Sequence, residues 1–215
     1  MGVRDDERAQ SIQIGAVLLF GALILAFASY QAFVIPEQNR KVEFSHSQQV
    51  QQQLQELRNG LISITGDGDG RSVTVPLGTT YPDRAIAVNP GPVTGTLRTV
   101  GTTDDSVNAS IANAITGGET GDYWNGTTHN LTTGALVYEP NYNVLDSTGQ
   151  TWYENSVLYS RYREGVQPAT GQRLISGSRL TLVALNGSLS LTRPGAATVD
   201  VGALSASTRR VAVTN

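Results

Sequence analysis

ERAQSIQIGAVLLFGALILAFASYQAFVIPEQ, residues 7–38, decides how the rest of the chain is to be understood. From Ile14 to Ala28 no residue is polar, and the apolar character runs on to Ile35 with only Ser29, Tyr30 and Gln31 interrupting it. As a helix rising ~1.5 Å per residue, Ile12 to Ile35 spans ~36 Å. That crosses a hydrocarbon core about 30 Å thick with some tilt. A general secretory signal has an apolar core of about 7 to 15 residues and a small-residue cleavage site behind it. Here the run is longer and leads instead into Tyr30-Gln31 and Pro36. Charge does not orient the segment, because Arg4 and Arg8 precede it while Arg40 and Lys41 follow it.

Downstream, Pro36 closes the apolar helix, since proline cannot donate a helical hydrogen bond and often kinks or restarts a helix. With Glu37 behind it, Pro36 suits the first turn of a second helix. Val50, Leu54, Leu57, Leu61 and Ile64 then recur at steps of 4, 3, 4 and 3, the seam of an amphipathic helix. Six glutamines between Gln48 and Gln55 keep the other face soluble. The run GDGDG, residues 66–70, reads as a stop and turn.

From about Arg71 the pattern is β. Val73, Val75 and Leu77 alternate, as do Val199 with Val201 and Val211 with Val213. RLTLVALNGSLSLTR, residues 179–193, reads as a hairpin turning at Asn186-Gly187. GALVYEP (134–140) and WYENSVLYSRYR (152–163) are strand candidates, and NPGPVTG (89–95) is a turn-rich edge or loop. The expected fold class is therefore α+β: a long N-terminal helix, with a transmembrane part and an amphipathic extension, then an all-β sandwich-like head. Its zones are residues 10–36 for the apolar helix, 37–66 for the Gln-rich helix and 71–215 for the head.

Composition narrows the function classes. Charged residues make up 15% of the 215, while small polar residues abound, which suits an exported, turn-rich β protein better than a cytosolic enzyme. The net charge of −3 gives no basic footprint for nucleic acid. Cysteine is absent, which excludes disulfides, thiol catalysis and cysteine-held metals. His46, on the polar helix, and His129, in a Gly/Thr-rich loop, have no carboxylate at metal-ligand spacing, so no metal and no cofactor is expected. Asp67 and Asp69 resemble half a calcium loop without its distal acidic ligand and read as a turn, as does Asp104-Asp105. No nucleophile, base and orienter can be assembled, so no catalytic residue is expected. Sequons begin at Asn108, Asn125, Asn130 and Asn186, all behind the apolar helix and in loop or turn contexts, as candidate N-glycosylation sites.

The N-terminus carries a more specific signal. Arg8-Ala9-Gln10, followed by Ser11-Ile12-Gln13-Ile14-Gly15 and the apolar run, resembles the class III signal of archaeal archaellins and type IV pilins. That resemblance implies a prepilin peptidase as a partner, cutting between Ala9 and Gln10 on the cytoplasmic side. Residues 1–9 would be lost and the whole helix retained. Ile14 stands where bacterial pilins usually have a glutamate, which archaeal members commonly lack. QIGAVLLFG, VIPEQNRKVEFSHSQQV, LRNGL, YENSVLY and LVALNGS together resemble a group of haloarchaeal pilin-like secreted or surface glycoproteins. Members of that group are often longer, and the close on VAVTN leaves room for a shortened ectodomain.

Two functions follow as expectations. One is a pilin-like cell-surface subunit, stored in membrane lipid and polymerised with identical subunits through its helix. Ile14, Leu18 and Leu25 would supply apolar contact, Gly15 and Gly21 would permit close helix approach, and Pro36 would mark the exit. The alternative is a non-polymerising, membrane-anchored surface glycoprotein whose head serves adhesion or envelope binding. Both place the helix in the cell membrane or a filament, with the head extracellular.

Overall fold

A computed structural model describes residues 4–64, 70–101, 106–109, 114–115, 127–146, 148–176, 179–204 and 212–213. One helix runs without a gap from α1 (Arg4–Ser29), through a π-helical turn (Tyr30–Val34), into α2 (Ile35–Ser63). At 1.5 Å per residue it is ~90 Å long. Pro36 does not break it. In the wide turn just before the proline the Ile35 N–H reaches back five residues to the Tyr30 carbonyl. A π-turn accommodates the ring and the missing donor of Pro36 without ending the helix. Ile64 leaves the helix in an extended conformation. Residues 65–69, which carry Asp67 and Asp69, lie outside the described residues, as do Asp104 and Asp105.

The rest is β, so the α+β class holds, with a long helix followed by antiparallel sheets. In chain order the strands are β1 (Arg71–Pro76), β2 (Thr94–Val100), β3 (Ser106–Ala109), β4 (Ala114–Ile115), β5 (His129–Thr132), β6 (Ala135–Asn141) and β7 (Gln150–Glu154). There follow β8 (Val157–Tyr162), β9 (Gly165–Pro168), β10 (Ile175–Ser176), β11 (Arg179–Leu180), β12 (Ser190–Arg193), β13 (Ala196–Val201) and β14 (Ala212–Val213). The main sheet has six antiparallel strands in the order β12-β2-β6-β7-β8-β9. β1 and β13 form a separate ladder that puts Val73 opposite Val199 and Val75 opposite Ala197, the alternation expected for both strands. Three short ladders, β3–β5, β4–β14 and β10–β11, and an isolated antiparallel bridge between Thr79 and Val93 complete the pairing among the described residues.

The core lies between the helix and these two sheets. Val50, Leu54, Leu57 and Leu61 of α2 pack with Val75, Leu97, Leu136, Tyr138, Tyr153, Leu158 and Val199. The second half of the long helix is thus an inner layer of the head, not a stalk beneath it. Gly95 on β2 is needed for close approach. A Cβ there would stand 2.1 Å from the Leu77 carbonyl oxygen and 2.8 Å from the Tyr138 hydroxyl. That hydroxyl donates to the same Leu77 carbonyl at 2.9 Å, tying the main sheet to the segment after β1.

Two local expectations are corrected. Asn186-Gly187 is not the turn of a hairpin. β11 pairs with β10 and β12 pairs with β2, while residues 181–189 form no strand. Asn-Gly permits a tight turn but does not create a partner strand, and the edge of β2 offered β12 a longer ladder. The tight hairpin is instead inside the stretch read as one strand. β7 and β8 pair with Glu154 opposite Val157, and the two turn residues Asn155 and Ser156 have φ of 46° and 72°. Positive φ at both centres matches the right-handed twist of the flanking strands.

Candidate functional site

The apolar half of the helix has no packing partner among the described residues. Ile12 is 73% exposed and Leu25 70%, and Ile14, Val17, Leu18, Leu19, Phe20 and Leu23 are exposed as well. The helix is long and apolar enough to cross a membrane. A Cβ built on Gly15 or Gly21 would meet nothing within 4 Å, so both positions lie open to an approaching surface. Arg8, Ala9 and Gln10 fall within the first two turns of α1.

Head and helix first meet at Gln31. Its carboxamide donates to the Val88 carbonyl at 2.9 Å and accepts from the Val88 N–H at 3.2 Å, as a neighbouring strand would. Two turns on, the Arg84 guanidinium donates to Gln38 at 3.0 Å and to Asn39 at 3.1 Å, and also to Asn89 in its own loop. These contacts leave Ile12 to Tyr30 clear below the head, ~28 Å of apolar helix at 1.5 Å per residue. Ile86 and Val88, on the same loop, present exposed apolar side chains beside this exit point.

A turn further along, Glu43 is fully buried. Its Oε1 accepts from the Asn143 N–H at 2.9 Å and its Oε2 from Leu145 N–H at 2.7 Å, with the Val144 N–H between them at 3.2 and 3.1 Å. The Tyr81 hydroxyl donates to the same carboxylate. Three successive backbone N–H groups form the kind of concavity that receives an anion; here the helix supplies it. Burial, then the bond to Glu43, pushes the Tyr81 phenol up to about 12, which keeps its proton in place to donate.

His46, expected on the polar helix, lies on that helix's buried face. It is only 5% exposed. Nε2 lies 3.0 Å from the Pro76 carbonyl and Nδ1 2.8 Å from the Tyr142 hydroxyl. A carbonyl can only accept, so Nε2 carries the proton and Nδ1 accepts from Tyr142, the arrangement of a neutral imidazole. Burial holds the His46 pKa below 6.5, partly offset by the backbone carbonyls of Pro76 and Gly78 and by Glu43. His129, expected in a loop, opens β5 opposite Ala109.

Ile35, Asn39, Glu43 and His46 continue the seam of Val50, Leu54, Leu57 and Leu61 at helical spacing. The buried face of α2 is therefore apolar at one end and polar at the other. At the apolar end one more polar group intrudes. Arg58, 4% exposed, donates from Nε to the Ser156 carbonyl at 2.6 Å and from its terminal nitrogens to Gly171 at 2.7 Å and Asn59 at 3.1 Å. It holds the left-handed Ser156 from the helix side.

Of the sequons, Asn186 is exposed on the strandless segment. Asn108 and Asn130 are not in loops; they are register partners on β3 and β5. Asn125 lies outside the described residues. No family model, curated protein or solved structure matches the chain.

Proposed function

We propose that the chain is a type IV pilin-like cell-surface subunit. Its retained helix holds it in the membrane and, once withdrawn from lipid, packs against the helices of identical subunits. The head stands outside the membrane. The observation that carries this reading is the continuity of one helix with two unlike halves. The first is apolar and wholly uncovered, while the second is built into the core of the head. A disposable signal needs no such coupling to the folded domain, whereas a subunit that assembles through its helix must transmit position from helix to head. The N-terminal Arg8-Ala9-Gln10 motif supports processing ahead of the helix, not behind it.

Intact-mass measurement of membrane-extracted protein should show a chain beginning at Gln10, and electron microscopy of sheared cells should show filaments carrying that N-terminus. A membrane-bound chain still beginning at Met1 sinks the processing. A processed chain that stays monomeric in the membrane favours the non-polymerising surface glycoprotein instead.

A further inference from the structure

Arg58 does more than hold a turn. A guanidinium has five N–H donors, and three are engaged by Ser156, Asn59 and Gly171. Among the described residues the remaining two have no acceptor and no carboxylate forms an ion pair with the guanidinium; burial, then the charge of Arg173, lowers its pKa. Buried charges are normally paired, because desolvating a lone cation is costly. The charge of Arg173 acts against that of Arg58, and that makes the deficit larger. Beside it the Tyr153 hydroxyl is buried without a hydrogen-bond partner among the described residues.

Arg58 and Arg173 line one open groove of about 410 Å³, together with Gln55, Asn59, Thr170 and Gln172. Arg173 is exposed, and among the described residues only its backbone N–H is engaged, by the Ser156 hydroxyl at 3.0 Å. No apolar side chain lines the groove. Its size falls in the range of small-molecule sites, but its walls offer amides, a hydroxyl and two positive charges. Such walls suit a ligand that is rich in hydroxyls and carries an oxyanion. Arginine forks favour planar carboxylates in particular.

We infer that the groove between α2 and the segment after β9 binds an acidic sugar residue, its carboxylate held between Arg58 and Arg173 and its hydroxyls by the surrounding amides. The ligand supplies the counterion that Arg58 lacks. The groove lies beside α2's C-terminal half, in the head and away from the apolar helix, so binding does not depend on processing or assembly at the N-terminus.

The test uses the full chain in detergent micelles, with glucuronate as probe, glucose as neutral control and a uronate trisaccharide as a third arm. Calorimetry should show saturable glucuronate binding that weakens with added salt, and none for glucose. Arg173→Ala should weaken binding about ten-fold with an unchanged melting temperature, since that side chain is exposed and bonds to no other side chain among the described residues. Arg58→Lys keeps the charge but loses the fork, and should also weaken binding wherever it folds. Tighter binding of the trisaccharide assigns a polymer-borne sugar, and equal binding assigns the free acid. Absence of saturable glucuronate binding, equal binding of glucose, or binding unaffected by Arg173→Ala overturns the inference.

Discussion

Glu43 and His46 tie the helix to the head through groups that sequence patterns assign to solvent. Both oxygens of Glu43 are taken by backbone N–H groups of residues 143–145 and by Tyr81, so replacing one oxygen with an NH2 would set donor against donor. Glu43→Gln is expected to destabilise the head by about 3 kcal/mol, read from urea unfolding of the full chain in micelles by tryptophan fluorescence. A loss well under 1 kcal/mol would mean that the loop does not depend on the carboxylate. His46 predicts a pH effect. Its folded pKa is depressed below the unfolded 6.5, so the unfolded chain takes up the proton more readily. The stability due to its neutral form is complete above pH 6.5 and is lost as pH falls from there through the folded pKa. His46→Gln can still donate to Pro76 and accept from Tyr142, but it does not titrate. The stability difference between the wild type and this variant should therefore shift in the variant's favour between pH 7 and pH 5; a constant difference contradicts the assignment. These residues were illegible for a physical reason. Hydrophobic periodicity marks burial only where burial is apolar, so the seam could be traced from Val50 to Leu61. Its continuation through Asn39, Glu43 and His46 is stabilised by hydrogen bonds to loops some 40 to 100 residues away. The steps of 4, 4, 3 and 4 from Ile35 to Val50 were the available signal.

At the scale of elements, α2 belongs to the head. Its Val50, Leu54, Leu57 and Leu61 face both the main sheet and the β1–β13 ladder, and without them Leu136, Tyr153 and Leu158 would face water. Each large buried side chain is worth about 1.5–3 kcal/mol, so losing the four of this face costs roughly as much as the ordinary stability of a domain. A chain beginning at Pro36 should accordingly be soluble and unfold cooperatively, whereas one beginning at Gly70 should lack a cooperative transition in calorimetry. Cooperative folding of the shorter chain would show that the sheets bury their own core. The existence of these elements was largely legible: both halves of the helix, β1, β6 and β13 follow from apolar spacing. Pairing was not. Asn186-Gly187 has the composition of a tight turn and Asn155-Ser156 does not, yet the second makes the hairpin. Ser156 is kept at positive φ by what surrounds it, including the Arg58 contact to its carbonyl and the bond from the Arg173 N–H to its hydroxyl. Turn propensity is local, whereas that clamp reaches across from α2.

Across the whole molecule, the two halves of the long helix should respond independently to substitution, because among the described residues the head does not touch the helix below Gln31. Ile14, Leu18, Gly21 and Leu25 are separated by steps of 4, 3 and 4, which places them on one face of the apolar half. Within this face Gly21 is the only position without a side chain, and space around it is open in the single chain. Small residues matter between helices in lipid or in a filament because they let backbones approach. Gly21→Leu adds apolar surface and improves helix propensity by roughly 0.8 kcal/mol, so insertion into the membrane should be preserved. The head's melting temperature should not move, since no described head residue lies near. Contact between helices of neighbouring subunits is the one property the larger side chain obstructs. Sheared filaments should therefore fall sharply in the variant while the membrane-bound pool, measured by carbonate-resistant sedimentation, stays constant or rises. Undiminished filaments would place the assembly contact on another face of the helix, and a shift in the head's melting temperature would contradict the independence of the two halves.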